Sequence, residues 1–390
     1  MKKVLIASAV RTPIGDFGGS MRTLKPVDLC ISVMKESLNR AKISEKDVDQ
    51  VIMGNCFSPL DGNIARLSLL TMGMPHEIPA YTVNNACASS SEAIIVGANA
   101  ILRGDADIIL AGGVESMSNA PFILESMRWG QRLRHGEATD LIWKGMQEYP
   151  VGGGMGLAAE RLAEKYGISR QEQDELALLS HQRAIRAIKD ERFKKEIVPV
   201  NAPVGRKKTV EVTTDEHPRE DTSMESLSRL KSAFKEDGVV TAGNASGMND
   251  GAAAVILMSD QKAADMGVEP MARIVDYANV AVDPRLVGIA PISAINTILK
   301  NRGLGIGDIQ LFEVNEAFAS YYIACEKDLG LDREITNVNG SGISLGHPVG
   351  CTGCRQVVTM LHEMARQDLR LGISSLCAGG GCGTAILLER

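Results

Sequence analysis

No stretch of this chain approaches the roughly 20 consecutive apolar residues that cross a bilayer, so a membrane-spanning helix is not expected. Positive charge is not in excess either: 42 Lys and Arg against 48 Asp and Glu give a formal net charge of -6. That balance argues against a basic footprint for nucleic acid, yet leaves room for a small anionic ligand, which needs only a few local donors. Nothing in the composition points to disorder, collagen or a coiled coil. With 44% hydrophobic and 23% charged residues, the 390 residues suffice for two or three globular domains. A secretion signal is not expected. Two lysines and a short apolar run open the chain, but Arg11, Thr12 and Pro13 break the run early and no small-residue cleavage site follows. Val4 to Val10 therefore reads as a buried first strand, and a cytoplasmic protein is expected. The eight cysteines (30, 56, 87, 325, 351, 354, 377 and 382) are expected to be reduced, most of them as small core residues. Cys351-x2-Cys354 lacks a second pair at zinc spacing, so no metal is expected. The glycine runs at 152–154 and 379–381 are not dinucleotide or phosphate-loop fingerprints, so neither NAD nor ATP is expected.

What is present is a βαβ rhythm. Short apolar runs at 4–10, 50–54 and 108–112 alternate with helical patterns at 26–41 and 89–103. The rhythm returns after residue 245, with strand candidates at 252–258, 272–278, 309–314 and 385–388 and helices at 291–302, 317–330 and 353–366. Between them, 119–244 is more polar, holds both tryptophans and carries a long charged helix from about Ser169 to Phe193. It reads as an excursion able to cover a site, or as a plain surface insertion. A faint repeat is also visible. Val51-Ile52-Met53-Gly54-Asn55 parallels Leu311-Phe312-Glu313-Val314-Asn315, and Thr82-Val83-Asn84-Asn85 parallels Thr336-Asn337-Val338-Asn339-Gly340. Each half ends a strand in glycines, which suggests two similar domains with a site where they meet.

Four segments could carry chemistry. Cys87 lies between the turn-like Asn84-Asn85-Ala86 and a run of small residues, which places its thiol at a helix N-terminus. There the helix dipole would lower its pKa and free N–H groups could receive an oxyanion. A buried structural cysteine would look the same. His347 stands in Asn339-Gly340-Ser341-Gly342-Ile343-Ser344-Leu345-Gly346-His347-Pro348, a glycine-dense loop no other histidine shares, and could be the base that activates a thiol. Cys377 ends a strand before Gly379-Gly380-Gly381 and could act as an acid/base. Asn315 and Glu316 sit at a strand-to-helix junction; Glu316 would cap the helix's first turn, and Asn315 could hold a site water.

Taken together these motifs resemble the thiolase family, the acetyl-CoA acyltransferases. The resemblance runs from Arg11-Thr12-Pro13-Ile14-Gly15 to the C-terminus, through Ala111-Gly112-Gly113-Val114-Glu115-Ser116-Met117-Ser118, Thr241 to Ala252, Asn315-Glu316-Ala317-Phe318, Gly346-His347-Pro348 and Cys377 to Gly381. It implies an α/β protein of the thiolase fold: two similar βαβ-type core domains with sheets between helices, plus an inserted loop domain. The expected division is 1–118 with 245–268, then the coenzyme-A-covering 119–244, then 269–390. By position the resemblance makes Cys87 the nucleophile, His347 its activator, Cys377 the second acid/base and Asn315 the holder of a water. Backbone N–H groups of Cys87 and Gly379 match an oxyanion hole. Arg219, Ser246 and Met155 fall where the family meets coenzyme A, and Phe234 and Phe318 where it lines the pantetheine path. No permanently bound cofactor is implied; coenzyme A and acyl-CoA are substrates, and the assembly is a homodimer or homotetramer.

Some positions depart from the family pattern. Ser90 stands where a glycine is usual, Gly154 where biosynthetic members carry a histidine, Val287 where a methionine is common, and Cys354 replaces a small residue. The Gly154 and Val287 changes would open the acyl pocket and point to a longer or different acyl chain. Two other readings remain: a decarboxylating ketoacyl synthase on the same fold, against which the Cys-His-Cys set speaks, and a non-catalytic acyl-CoA-binding subunit, against which retention of all three residues speaks.

Overall fold

The computed structural model describes residues 2–133, 135–149, 151–205 and 208–390. One mixed sheet runs through the core. Its main strands are β1 (Val4–Arg11), β2 (Gln50–Gly54), β3 (Ala80–Val83), β4 (Ile108–Ser116), β5 (Asn249–Ser259), β6 (Ala272–Ala281), β7 (Leu311–Val314), β8 (Leu371–Ala378) and β9 (Cys382–Glu389). Their spatial order is β7-β8-β9-β6-β1-β5-β4-β2-β3. β4 and β5 are wholly buried and, apart from Glu115, Asn249 and Asp250, apolar or small, as strands covered on both faces are.

The faint repeat of the sequence is a topological repeat. In the first half β3, β2 and β4 run parallel, and β5 and then β1 add on antiparallel. In the second half a single bridge at Thr336 takes the place of β3, β7 and β8 run parallel, and β9 and then β6 add on antiparallel. The halves join edge to edge where Val4, Leu5 and Ile6 of β1 pair with Ile274, Arg273 and Ala272 of β6.

Helices repeat the same pattern. Pro26–Ala41 covers β1, β4 and β5, while Ala290–Arg302 covers β6, β8 and β9. Ser89–Arg103 and Thr352–Gln367 pack on each other and each touches strands of both halves. They form the middle layer, which is why Thr352–Gln367 is buried almost all round rather than along one stripe. The chain segments leading into these two central helices therefore approach one another. Those segments carry Cys87 and His347.

Polar groups lock the halves and the excursion together. The buried Arg11 guanidinium donates to Glu196 at 2.6 Å and to both oxygens of Asp215 at 2.6 and 2.9 Å. Glu316 does not cap a helix. The helix begins at Ala319, and the Glu316 carboxylate is buried, accepting from Ser180 Oγ at 2.5 Å and Asn337 Nδ2 at 3.0 Å. The four residues Asn315 to Phe318 therefore separate the strand from the helix, and they turn the acidic side chain inward as a tie between the long Arg170–Lys189 helix of the excursion and the second half.

Candidate active site

Cys87 is half-buried at the end of the segment linking β3 to the Ser89–Arg103 helix. Ala86 before it has φ 45°, the left-handed region, which costs a non-glycine residue roughly 1–2 kcal/mol. Ser89 Oγ donates to Ala86 O at 2.6 Å and accepts from Asn85 N at 2.9 Å, so the turn is held by side-chain bonds rather than by glycine. The dipole expectation needs correction. Burial is the largest influence and pushes the thiol up to about 11, although the N–H groups of Gly379 and of Cys87 itself pull the other way. The thiol is neutral in the free protein and needs a base.

His347 is a candidate for that base, with a defined tautomer. Its ring is buried, and burial, aided by Arg355, lowers its pKa to about 3, so the imidazole is neutral. Nδ1 lies 2.6 Å from Thr352 Oγ1, and that hydroxyl lies 2.9 Å from Pro348 O. The Pro348 carbonyl can only accept, so Thr352 donates there and accepts from Nδ1–H. Nε2 is left as the lone-pair nitrogen, and it has no partner among the described residues. Asn249 Oδ1 accepts from His347 N at 2.9 Å and fixes the loop; Gly346, at φ 100°, would clash with that asparagine if it carried a Cβ.

Cys377 is the penultimate residue of β8 and is buried beside Met155, Ala245 and Phe318. Burial first, then the Cys87 thiol, raises its pKa well above the usual thiol value. Gly379 follows at the β8–β9 turn, where a Cβ would lie 3.6 Å from Ala86 Cβ, so the two loops meet tip to tip. Asn315 follows β7. Its backbone is tied to Ser375 O at 3.0 Å, but neither side-chain oxygen nor nitrogen has a partner among the described residues. The repeat supplies a comparison. Asn55, at the equivalent place after β2, donates to Val114 O at 2.8 Å and accepts from Ser58 N at 3.2 Å. One asparagine holds the fold, and the other keeps its amide free. Gly342 makes room for it: a Cβ there would stand 2.7 Å from Asn315 Oδ1.

The groups matched to coenzyme A lie on segments that touch one another. Arg219 lies on a cavity of about 240 Å³ with His181, His217, Ser226 and Ala245. Ala245 bridges to Phe318, Ser246 N donates to Ala317 O at 3.0 Å, and Phe234 meets Phe318 edge-on at 5.8 Å. Met155 opens the Met155–Tyr166 helix and packs into the cluster that holds Cys377.

Sequence reasoning assigned no role to Thr352, Glu115 or Ser90. Thr352 sets the imidazole tautomer; a hydroxyl five residues after the histidine was its only signal. Glu115 is buried and accepts from Cys56 N, Phe57 N and Gly350 N, each at 3.0 Å, joining the loop after β2 to the His347 loop; burial pushes it up to about 7. Ser90 has a partner: its Oγ accepts from the backbone N of Cys354 at 2.9 Å, in the first turn of the opposite central helix, while nothing in the structure explains the cysteine side chain at 354. Gly54 and Gly113 leave the space that Ser90 fills. Among the described residues no group of three or more His, Cys, Asp or Glu is placed to hold a metal.

Comparison with known proteins agrees over the whole chain. Family models described as "Thiolase, N-terminal domain" and "Thiolase, C-terminal domain" match residues 4–261 and 268–390. An acetyl-CoA acetyltransferase of Escherichia coli (strain K12) is 46% identical over 393 residues, covering 100% of both chains. The crystal structure of the Bacillus anthracis acetyl-CoA acetyltransferase superposes with a TM-score of 0.98 at 46% identity, covering 100% of this chain and 99% of that one. Human mitochondrial 3-ketoacyl-CoA thiolase in complex with CoA gives 0.94 at 40% identity, covering 100% and 98%.

Proposed function

The chain belongs to the thiolase family, and from that premise we propose that it is a catalytic acyltransferase that works through an acyl-Cys87 intermediate. It cleaves a 3-ketoacyl-CoA with coenzyme A to acetyl-CoA and a shortened acyl-CoA, or joins two acetyl-CoA in the reverse Claisen condensation. The carrying observation is the neutral His347, whose Nε2 keeps its lone pair and has no partner among the described residues, because the Thr352 hydroxyl accepts from Nδ1–H.

His347 takes the Cys87 proton, and the thiolate attacks the 3-keto carbon. The carbon–carbon bond breaks, and Cys377 protonates the departing acetyl-CoA carbanion. Cys377, now a thiolate, takes the proton of an incoming coenzyme A. The new thiolate displaces the acyl group from Cys87, which recovers its proton from His347. Burial makes every one of these thiols a poor thiolate on its own, so each charge forms only against a positioned donor or acid. Negative oxygen at the acyl carbon is met by the N–H groups of Cys87 and Gly379, and a water held by Asn315 serves the enolate. The 119–244 segment covers coenzyme A through Arg219, Phe234 and Met155. A homodimer or homotetramer is supported by the edge position of β3 and by the exposed Phe122, Trp129 and Leu133 of the excursion. Eight free thiols fit a reducing, cytoplasmic setting.

With acetoacetyl-CoA and coenzyme A the purified protein should consume the enolate absorbance, and mass spectrometry should find an acyl adduct on Cys87 that is absent in Cys87→Ala. Failure to cleave any 3-ketoacyl-CoA, or an adduct on another cysteine, overturns the assignment.

A further inference from the structure

The pantetheine-lining aromatics do not stop at Phe318. Tyr321, one helical turn on, is buried and lies edge-on to Phe318 at 5.0 Å, in the cluster that also holds Cys377, Val287 and Met155. From Phe234 through Phe318 to Tyr321 the rings therefore lead from the coenzyme A side towards the second thiol.

The phenol is held on three sides. Its hydroxyl donates to Met155 O at 2.8 Å. Gly288 lies flat beneath the ring: a Cβ there would be 2.3 Å from a Tyr321 ring carbon and 2.7 Å from Leu162. Phe318 closes the third side. The ring has no rotamer to swing into without breaking one of these contacts, so it is a wall and not a gate. Burial, followed by the Cys377 and Cys87 thiols, raises the phenol's pKa well above its usual value, which agrees with its place beside the reacting sulfurs.

At Val287 the packing argues against an opened acyl pocket. The small residue at 287 is fully buried, and the ring on the neighbouring Gly288 fills the space beside it. Resting on the thiolase reading, we propose that Tyr321 is a specificity-determining residue that closes the acyl pocket, making short, unbranched 3-ketoacyl-CoA the preferred substrate class.

The test is kcat/KM for thiolysis along a series of 3-ketoacyl-CoA thioesters, rising from acetoacetyl-CoA in two-carbon steps, for the wild type, Tyr321→Phe, Tyr321→Leu and Tyr321→Ala. One methylene against a filled pocket is worth about tenfold or more, so wild type should fall by at least about tenfold at the first lengthening. Tyr321→Phe keeps the ring and should keep that slope. Tyr321→Leu and Tyr321→Ala should flatten it by about tenfold, mainly by raising activity on longer chains relative to acetoacetyl-CoA. A wild type that cleaves longer chains as well as acetoacetyl-CoA overturns the inference alone, even if the alanine variant does not fold. A soluble leucine or alanine variant with an unchanged slope overturns it too. No thiolysis of any thioester overturns the parent reading as well.

Discussion

Replacing Thr352 by Val removes one hydroxyl and little else. The side chain is fully buried, and valine has nearly its shape. Pro348 O keeps its bonds from Cys351 N at 2.9 Å and Thr352 N at 3.0 Å, so the group left without a partner is His347 Nδ1–H. A buried donor stripped of its acceptor costs about 1–3 kcal/mol. The imidazole can escape that cost by moving its proton to Nε2, but then Nε2 is no longer a base. Either way the base-competent form becomes less favourable by about that amount, which corresponds to roughly 5- to 150-fold in kcat/KM. Acetoacetyl-CoA thiolysis and the rate of acyl-Cys87 formation should fall together, because the histidine acts before the intermediate forms. Thr352→Ser restores the acceptor and should recover most of the rate. A valine variant within twofold of wild type, or a serine variant no better than valine, refutes the tautomer argument.

The two repeat-related asparagines should separate stability from chemistry: Asn55→Ala should lower the melting temperature, whereas Asn315→Ala should leave it close to wild type and cut turnover by about 10²–10³-fold. Equal melting losses would show that Asn315 is structural. Arg11→Ala strands two buried carboxylates, so chemical denaturation should show a loss of about 3–5 kcal/mol, or no folded protein at all; a loss under about 1 kcal/mol contradicts the buried network. Stability should also peak at mildly acidic pH. Burial holds His347 near 3 and His181 near 4, so below about 6.5 the unfolded chain binds more protons and stability falls as pH drops. Glu115 and Glu313 are raised to about 7 and about 8, so from roughly pH 4 to 8 the folded state retains protons the unfolded chain has lost, and stability falls as pH rises. A melting temperature that climbs steadily from pH 5 to 8 contradicts this.

Ser90→Gly tests the tie between the central helices. It leaves Cys354 N without its side-chain acceptor and should lower the melting temperature, while a serine with no such role would leave it unchanged.

Much of this was legible in the sequence because it is local. The apolar runs of β2 and the Pro26–Ala41 and Ser89–Arg103 helices follow from periodicity, caps and glycine stops that lie within one element. The repeat was legible too, since equivalent strands face equivalent environments. The motifs marked Cys87, His347, Cys377 and Asn315, because glycines and small residues around a reactive side chain record the close approach of something else.

What the sequence did not settle were quantities that depend on partners distant along the chain. Cys87 at a helix start suggested a lowered pKa; burial under the second half of the fold reverses the sign. Glu316 looked like a helix cap until Ser180 and Asn337 arrived from other elements to bind it. Ser90 was an unexplained departure until the central helices brought its hydroxyl to the backbone N–H of residue 354. Residue types and local spacing therefore determine which chemistry is available here. Desolvation and hydrogen-bond pairing, which exist only once the two halves close on each other, decide the protonation state in which that chemistry starts.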